Sequence, residues 1–324
     1  MTKSISIIIP NWNGKKQLKK NLPLLFNVLA RFKGKSEVII IDDASTDKSR
    51  EHLSNIALKR YSNIDKGRRS SKTLKGYKAK KLSFRVILNN RNLGFARSVN
   101  RGVKAAQYNV VFLLNTDVTV KDGCFDYLLP HFDDDKVFGV GANADWVLSV
   151  ADFKDGFLDI SRFNKIPRHC REAQEAFWIC GGHSAFRRKI WLELGGLDKL
   201  FSPFYFEETD LCYRAWKRGY KILWEPKARV LHKHEESVIR KHFSQKYINF
   251  IAQRNCLFFI WKNIHNQKMM REHYYNLIKR IVKEISYIKV LLAALYKLPQ
   301  IIKKRRIEKE RGIISDKNIF AKFG

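Results

Sequence analysis

The chain has 324 residues, and its 63 Lys and Arg outnumber its 31 Asp and Glu, so its formal net charge is +32. With 45% hydrophobic and 13% aromatic residues, the chain can bury a substantial core, which excludes a disordered polycation. Its length allows about two domains, or one large α/β domain with an extension.

The positive charge is concentrated in two segments. Residues 59–85 hold eleven Lys and Arg against one Asp, and residues 262–311 hold fourteen against four acids. Each segment nets +10, so the two supply 20 of the 32 charges. Such patches attract polyanions, which include nucleic acid, anionic lipid headgroups and phosphorylated substrates.

Cysteine usage and hydropathy predict the compartment. The five cysteines are scattered and form no C-x-x-C pair, which predicts reduced, buried thiols of a cytosolic protein. Met1 leads directly into a strand-like segment without the apolar region of a secretory signal. Lys289 and Lys297 interrupt the most apolar stretch, so we expect no membrane-spanning helix.

Short Val and Ile runs alternate with amphipathic stretches in the first third of the chain. The predicted strands are residues 6–10, 38–41, 84–88 and 110–114, and the predicted helices between them are 18–32 and 96–106. Apolar runs that become polar at their carboxyl ends are typical of a parallel sheet covered by helices on both faces. We therefore predict an α/β fold with a mostly parallel sheet that is covered by helices on both faces.

Ligands of open α/β sheets bind beyond the carboxyl ends of the strands. We expect residues 10–13, 42–43, 89–94 and 115–117 to meet there in one crevice. No G-x-G-x-x-G follows the first strand and no P-loop motif occurs, which disfavours dinucleotide and P-loop nucleotide sites. Residues 59–83 lack hydrophobic periodicity and are predicted to be a basic insertion or mobile loop.

The second half of the chain contains the glycine pair Gly181 and Gly182, an acidic cluster and a long basic helical region. Glu207 to Asp210 open a predicted helix, and helical patterns then cover residues 243–263 and 274–304. We predict a catalytic domain over residues 1–240 and a basic, amphipathic helical extension over 241–324.

Each candidate residue has a structural alternative when it is considered alone. Asp42 and Asp43 suit a turn or a helix N-cap as well as a ligand site. Asp117 ends a buried strand, where a carboxylate can hold Mg²⁺ or Mn²⁺. The acids of residues 207–210 also suit a helix N-terminus, and lone histidines such as His232 and His234 are commonly structural.

The order of the motifs distinguishes between these alternatives. The chain carries, in sequence, I-I-I-P-N-W-N, V-I-I-I-D-D-A-S-T-D, N-N-R-N-L-G-F-A-R-S-V-N-R-G, F-L-L-N-T-D, G-G-H-S-A-F-R-R, F-E-E-T-D-L-C-Y-R and V-L-H-K-H. This series resembles glycosyltransferase family 2, the inverting enzymes with a GT-A fold that use nucleotide sugars. It is most similar to the rhamnosyltransferase-like members that build bacterial surface polysaccharides.

The resemblance implies a donor site and a metal site. Asp43 would contact the nucleobase, Asp42 would support its strand end, and N-T-D stands where the family has D-x-D, so Asp117 would bind Mn²⁺ or Mg²⁺. His232 matches a histidine that joins this site in several members, and His234 is the weaker candidate. The implied donor-binding residues are Pro10, Asn11, Asn13, Asp42, Asp43, Asn92, Gly94, Asn115 and Thr116.

The resemblance also implies a base and an acceptor side. Glu208 occupies the position of the general base, although the family usually has Asp there. Trp178 could stack on a sugar or be a core aromatic. The implied acceptor-side residues are Trp178, Gly181, Gly182, His183, Glu207 and Asp210.

The basic helical tail predicts the location of the enzyme. A basic amphipathic helix beside the run from Lys303 to Arg306 favours anionic lipid, while the alternative is a helix packed on the catalytic domain. The family's acceptors are commonly lipid-linked saccharides, so we expect a peripheral protein on the cytoplasmic face of the cell membrane.

The leading hypothesis is an inverting, metal-dependent glycosyltransferase that uses a UDP- or dTDP-linked donor. The alternatives are a catalytically inactive GT-A-like adaptor for a membrane or partner, and a nucleic-acid-binding protein. The last is disfavoured because the basic segments lack a known nucleic-acid-binding motif and the strand-end acids would repel phosphate.

Overall fold

The structure is a computed structural model that describes residues 4–59, 73–79, 82–160, 163–232 and 242–323. The β-strands are β1 Ser4–Asn11, β2 Lys35–Asp42, β3 Thr73–Ala79, β4 Leu82–Leu88, β5 Val110–Leu114, β6 Val118–Val120, β7 Val137–Asn143, β8 Val147–Ser149, β9 Asp152–Lys154, β10 Phe157–Asp159, β11 Phe163–Lys165, β12 Gln174–Glu175, β13 His183–Arg187 and β14 Lys221–His232. The α-helices are α1 Lys15–Arg31, α2 Ser49–Lys59, α3 Phe95–Ala105, α4 Cys124–Leu128, α5 Arg188–Glu193, α6 Glu207–Lys217, α7 Gln245–Asn263, α8 Gln267–Lys283, α9 Ile288–Leu295, α10 Leu298–Arg311 and α11 Asp316–Phe320. Short 3-10 helices cover Leu129–Asp133, Lys199–Phe201 and Ile285–Tyr287.

The strands form one large mixed sheet with a parallel centre. Their order is β12-β14-β7-β13-β5-β1-β2-β4-β3, and β6 pairs with β14. Strands β5, β1, β2 and β4 run parallel, whereas β13 runs antiparallel between β5 and β7. The four strands predicted from Val and Ile runs are this parallel centre, which confirms the predicted α/β fold.

Alternate side chains of the central strands pack into cores on opposite faces of the sheet. In β1, Ile7 and Ile9 join the core that includes α1, whereas Ile8 joins the core that includes α3. Helix α3 approaches the sheet closely at Gly102, where a Cβ would lie 2.5 Å from side-chain atoms of Ile8 and Ile41. The five cysteines form no disulfide, and Cys124 and Cys212 are buried as predicted, whereas Cys170, Cys180 and Cys256 are only half-buried.

The predicted insertion contains regular structure at its end. Strand β3 lies within residues 59–83 and pairs antiparallel with β4, so the prediction of an irregular loop is wrong for residues 73–79. Strand β3 stands at the end of the strand order, where lysines are common and a continuous apolar run is not required. Residues 60–72 and 80–81 lie outside the described residues.

The C-terminal helices share a core with the catalytic part of the chain. Leu257, Phe258 and Phe259 of α7 belong to the same buried cluster as Phe177 and Tyr213. The division predicted between residues 240 and 241 therefore does not separate two cores among the described residues. The single helical pattern predicted over residues 274–304 is divided among α8, α9 and α10.

Length and apolar composition decide whether the described helices can cross a membrane. None of them alone is long and apolar enough to cross a membrane. One bent pair, Ile285–Leu295 with Leu298–Arg311, meets the length and composition requirements together, with a bend of 66°.

Candidate active site

Asp42 stabilises the end of β2 from within the protein. Its side chain is fully buried, and its Oδ2 accepts a hydrogen bond from Asn11 Nδ2 at 2.9 Å. Its Oδ1 accepts from Arg50 Nε at 2.8 Å and from the backbone N–H of Ser45 at 3.1 Å. These bonds offset the cost of burying a carboxylate. Asp42 thus supports the strand end, and any effect on a donor is indirect.

Asp43 holds the loop that follows β4 in place through hydrogen bonds. Its Oδ1 accepts hydrogen bonds from Asn89 Nδ2 at 2.7 Å and from the backbone N–H of Leu93 at 2.8 Å. Its Oδ2 accepts from the backbone N–H of Gly94 at 2.8 Å, and Asn92 Oδ1 accepts from the same N–H at 2.9 Å. Asp43 therefore orients Asn92 and Gly94, the two residues of this loop that were predicted to bind the nucleotide sugar. Its contact with a nucleobase stays a prediction.

The turn after β1 is tied to the loop after β2. Asn13 adopts a left-handed backbone with φ of 54°, a conformation that Asn tolerates better than most residues. Its Oδ1 accepts from the backbone N–H of Thr46 at 2.7 Å, and its own N–H donates to Ser45 Oγ at 2.9 Å. The turn thus holds Asn11, Asn13 and the adjoining Pro10 beside the end of β2.

Pairing of β6 with β14 brings Asp117 and His232 together. Asp117 Oδ2 lies 3.7 Å from His232 Nε2, and the two side chains are 11% and 14% exposed. Asp117 Oδ1 is buried and has no hydrogen-bond partner among the described residues. A buried acceptor of this kind is explained by a bound group such as a cation or water.

His183 lies on the same side of the crevice. Its ring centroid is 5.8 Å from that of His232, and its Nδ1 is buried without a partner in the described part of the chain. Burial, followed by the charge of His232, lowers the pKa of His183 to about 4. The imidazole is therefore neutral near pH 7. The structure thus brings His183, which we predicted on the acceptor side, to the candidate metal ligands.

The side chains around Asp117 fit a divalent cation that shares its ligands with a substrate. Within the described ranges, no group of three or more His, Cys, Asp or Glu side chains could hold a metal ion by itself. Mg²⁺ in phosphate-transfer sites is commonly held by one or two carboxylates together with substrate phosphates, and Mn²⁺ prefers the same oxygen ligands. Asp117 and His232 could hold Mn²⁺ or Mg²⁺ in this way.

Gly181 and Gly182, the glycine pair, lie between Glu208, the candidate base, and Asn115, which belongs to the segment that carries Asp117. A Cβ on Gly181 would lie 2.7 Å from Glu208 Cγ and closer still to Oε1. A Cβ on Gly182 would lie 2.6 Å from Asn115 Nδ2, and the backbone N–H of Asn115 donates to the Gly182 carbonyl at 2.9 Å. Glycine is thus required at both positions because the side chains on either side approach the backbone closely.

Glu207 and Glu208 are neighbouring carboxyl groups in a region of low polarity. Burial raises the pKa of Glu208, and backbone N–H groups of Glu208 and Gly181 partly oppose this shift. Glu207 is 2% exposed, and burial followed by the charge of Glu208 raises its pKa well above the ordinary value. The two groups therefore resist simultaneous ionisation, and a raised pKa suits Glu208 to proton transfer near neutral pH.

Asp210 has a structural role in place of the predicted acceptor-side one. It is fully buried, and its Oδ1 accepts hydrogen bonds from Lys262 Nζ at 2.7 Å and Asn263 Nδ2 at 2.8 Å. Its Oδ2 accepts from Arg214 Nε at 2.8 Å. Two helical positions correspond to about 200° of rotation, so Asp210 faces away from the side of α6 that presents Glu208.

A cavity of about 350 Å³ opens beside the two histidines. His183, His232 and Cys180 line one part of it, and Trp178 and Trp224 line another. Trp178 also packs against the main core, so it combines the two alternatives considered from the sequence. Stacking of Trp178 on a sugar stays a prediction.

Two further residues support the site: Asn89, which the sequence placed at the crevice without a role of its own, and Arg50, which sequence reasoning missed. Asn89 is buried between Asp43 and Ser98, with its Nδ2 donating to both side chains. Arg50 donates to Asp42 Oδ1 and to the carbonyl of Asn89. Asn89 follows β4 as Asp43 follows β2, which is why its segment was expected at the crevice, whereas nothing in the pattern around Arg50 indicates its contact.

Two comparisons by sequence identify relatives of the chain. Residues 6–195 match the family described as Glycosyl transferase family 2. Poly-beta-1,6-N-acetyl-D-glucosamine synthase of Staphylococcus aureus strain COL is 24% identical over 208 residues, which are 63% of this chain and 44% of the synthase. The chain therefore spans less than half the length of this relative.

Solved structures share the fold at low sequence identity. GalNAc-T7 with UDP, GalNAc and Mn²⁺ superposes with a TM-score of 0.59 and 14% identity, covering 88% of this chain and 56% of that one. S. aureus TarS 1–349 with UDP-GlcNAc gives 0.54 and 15%, covering 93% and 79%. Mannosyltransferase PcManGT from Pyrobaculum calidifontis, with GDP-Man and Mn²⁺, gives 0.54 and 11%, covering 95% and 85%. Because the family match spans more than half of the chain and these neighbours share its sheet and helices, the chain belongs to glycosyltransferase family 2, has the GT-A fold and is a glycosyltransferase.

Proposed function

We propose that the enzyme transfers a sugar, with inversion, from a UDP- or dTDP-linked donor to a lipid-linked saccharide acceptor in bacterial surface polysaccharide assembly such as that of O-antigen. The observation that carries this proposal is the arrangement about the glycine pair. Glu208 contacts Gly181, and Asn115 contacts Gly182. The proposed proton acceptor and the segment that carries Asp117 therefore lie on either side of one pair of glycines. A single displacement at an anomeric carbon needs a proton acceptor and stabilisation of the leaving group, and Glu208 and this segment would supply them.

The proposed reaction is one in-line displacement. The acceptor hydroxyl oxygen forms a bond to the anomeric carbon while the bond from that carbon to the diphosphate oxygen breaks. Glu208 accepts the hydroxyl proton, and the leaving diphosphate keeps the bonding electron pair. A divalent cation held by Asp117 and His232 would supply positive charge to the leaving group. No second carboxylic acid is needed, because the diphosphate leaves as an anion.

The named ligands of the structural neighbours support a nucleotide-sugar donor. The neighbours are complexes with UDP, UDP-GlcNAc or GDP-Man, and two of them also contain Mn²⁺. The polysaccharide made by the synthase relative supports a role in surface polysaccharide assembly. Asp43, which fastens the loop carrying Asn92 and Gly94, is the residue that we propose for the nucleobase contact.

A donor panel tests the proposed function. Purified protein is incubated with UDP-, dTDP- and GDP-sugars and Mn²⁺, and donor hydrolysis and thermal stabilisation are measured. We expect one nucleotide class to stabilise the fold and its sugar to be released slowly. Asp117→Asn should remove the dependence on Mn²⁺ while the protein stays folded. Absence of any response to every donor in the presence of metal would contradict the proposal.

We also propose that the enzyme sits peripherally on the cytoplasmic face of the cell membrane. Along α8, the following 3-10 helix and α9, apolar side chains point to solvent, and Val282 and Ile285 are each 77% exposed. Exposed lysines, including Lys279, Lys283 and Lys289, lie in the same segment. An apolar stripe with flanking lysines suits the interface of an anionic bilayer.

A further inference from the structure

A cluster of aromatic side chains includes two residues that lie just before α6, the helix of the proposed base, and it has no part in the mechanism above. We call Phe204, Tyr205, Phe243 and Tyr247 the aromatic platform. Phe204 is 5.2 Å from Phe243 between ring centroids, and Phe243 stacks on Tyr247 at 5.4 Å. Phe204 is buried, whereas Tyr205 and Tyr247 are 38% and 40% exposed. One ring of the platform is thus buried, and its two tyrosines are partly exposed to solvent.

The backbone under Tyr205 is strained and tightly held. Tyr205 and Phe206 have φ values of 71° and 76°, a left-handed conformation that bulky residues rarely adopt. Asn255 is fully buried, and its Nδ2 lies 2.7 to 3.0 Å from the carbonyl oxygens of Phe201, Phe204 and Tyr205. Strain of this kind persists where surrounding contacts fix it, and it is concentrated at ligand and active sites.

Polar groups adjoin the platform. Arg254 donates to the carbonyl of Ser202 at 2.6 Å, and its charge interacts with Tyr247 and Glu207. Glu207 Oε1 is buried and has no hydrogen-bond partner among the residues that the structure describes. The surface therefore combines aromatic faces with a half-buried guanidinium and tyrosine hydroxyls.

We infer that the aromatic platform, whose Tyr205 precedes Glu208 by three residues, binds a pyranose ring of the acceptor saccharide. A sugar presents C–H groups to aromatic faces and hydroxyls to polar groups at their edges, which matches both parts of this surface. A lipid chain would cover the guanidinium of Arg254 and the tyrosine hydroxyls without offering them any polar partner. The inference rests on the proposed function for the role of Glu208, and it adds an acceptor subsite to it.

Saturation-transfer NMR with simple saccharides tests the inference. The probes are methyl glycosides of N-acetylglucosamine, galactose and rhamnose, added to the full-length protein without any donor. We expect saturation of ring C–H protons by at least one probe. Tyr205→Ala and Tyr247→Ala should each weaken that binding about tenfold, whereas Tyr205→Phe, which keeps the ring, should bind like the wild type.

Matched controls make the result specific to the platform. Tyr127→Ala changes a tyrosine of α4 that is 46% exposed, and it should leave probe binding unchanged. Unchanged near-ultraviolet circular dichroism identifies variants that retain the fold. Equal binding by the wild type and both alanine variants, or no binding of any probe to the wild type, would overturn the inference.

Two further measurements separate the possible failures. With an octyl glycoside below its micellar concentration, saturation of the octyl chain instead of the ring would assign the platform to a lipid and overturn the inference. The probes bind without a donor, so a negative donor panel would contradict the proposed function while Tyr205-dependent saccharide binding would still support the subsite.

Discussion

At the residue scale, Glu208 carries the proposed proton transfer. Its side chain contacts Gly181, and burial raises its pKa, so the carboxylate is a stronger proton acceptor than an exposed glutamate. Glu208→Gln keeps the shape but cannot accept the proton. We expect kcat for transfer to fall about 10²-fold or more, with the Kd for the donor unchanged. The exposed Glu310→Gln is the control, and a Glu208→Gln enzyme with normal kcat would remove Glu208 as the base.

The pH dependence of transfer follows from the same group. The raised pKa of Glu208 means that the carboxylate is lost at a higher pH than the ordinary 4.5 as the solution is acidified. We expect kcat/KM to fall with decreasing pH through a limb that lies above pH 4.5. A pH–rate profile measured with saturating metal gives the position of this limb, and activity that stays constant down to pH 4.5 would exclude Glu208 as the titrating base.

Ionisation of Glu207 should make the folded state less stable as the pH rises, whereas a salt-bridged acid makes it more stable. Its pKa is raised in the folded state, so the stabilisation from the neutral form is present below pH 4.5 and is lost as pH rises through the folded-state pKa. Glu207→Gln removes the charge, so we expect a higher Tm than the wild type at pH 8 and a smaller difference at pH 4. Calorimetry at both pH values checks this, and an equal difference at the two pH values would disagree with it.

Some of these residues could be predicted from the sequence and others could not. The order of motifs indicates Asp43, Asp117 and Glu208, which the structure brings to the strand ends and the glycine pair. The structural role of Asp210 was not predictable, because its partner Lys262 lies 52 residues further along the chain. Contacts between distant segments also explain why the sequence did not indicate the aromatic platform, which joins residues before α6 to residues at α7.

At the scale of elements, the C-terminal helices fix α6, which carries Glu208. Near the start of α6, Lys262 of α7 lies between Asp198 and Asp210, at 2.8 and 2.7 Å. Near its end, Asp316 of α11 accepts from Tyr213 at 2.6 Å and from Lys217 at 2.7 Å. The helical extension is therefore part of the framework of the active site.

Loss of Lys262 should destabilise the whole fold. Lys262→Met removes the positive charge that pairs with the buried carboxylates of Asp198 and Asp210. We therefore expect the free energy of unfolding to fall by about 3 kcal/mol. Urea denaturation followed by circular dichroism measures this value. Lys221→Met is the control, because Lys221 pairs with Asp134 at the surface and should have little effect. A loss for Lys262→Met as small as that for the control would contradict the proposed framework.

Elements were predictable where local pattern decides them. Val and Ile runs predicted the parallel strands because those strands are buried on both faces. Strand β3 was missed because it stands at the sheet edge. The break before α10 has a local signal, Pro299 in the first turn of that helix, that the prediction of one continuous helical pattern did not use.

At the scale of the whole molecule, the charge of +32 belongs to a folded enzyme whose basic tail is partly packed and partly exposed. Deletion of residues 274–324 would remove Asp316 and Phe320 from the core, so it cannot test membrane binding alone. The exposed apolar side chains of the tail offer a sharper test.

We predict that Val282→Asp combined with Ile285→Asp releases the protein from phosphatidylglycerol-containing vesicles. Both side chains are 77% exposed, so the double variant should fold normally while losing the apolar contact with the bilayer. Vesicle co-sedimentation measures binding, and Leu24→Asp combined with Leu192→Asp changes two exposed leucines elsewhere as the control. Equal sedimentation of the Val282/Ile285 variant and the wild type would contradict membrane docking through this surface.

The most direct test of the central claim is the configuration of the first sugar product. Proton NMR recorded during turnover of the donor identified by the panel shows which anomer appears before mutarotation. A single displacement with Glu208 as base predicts the anomer inverted relative to the donor, and its appearance should be abolished in Glu208→Gln. Initial appearance of the retained anomer, or undiminished turnover by Glu208→Gln, would contradict the account.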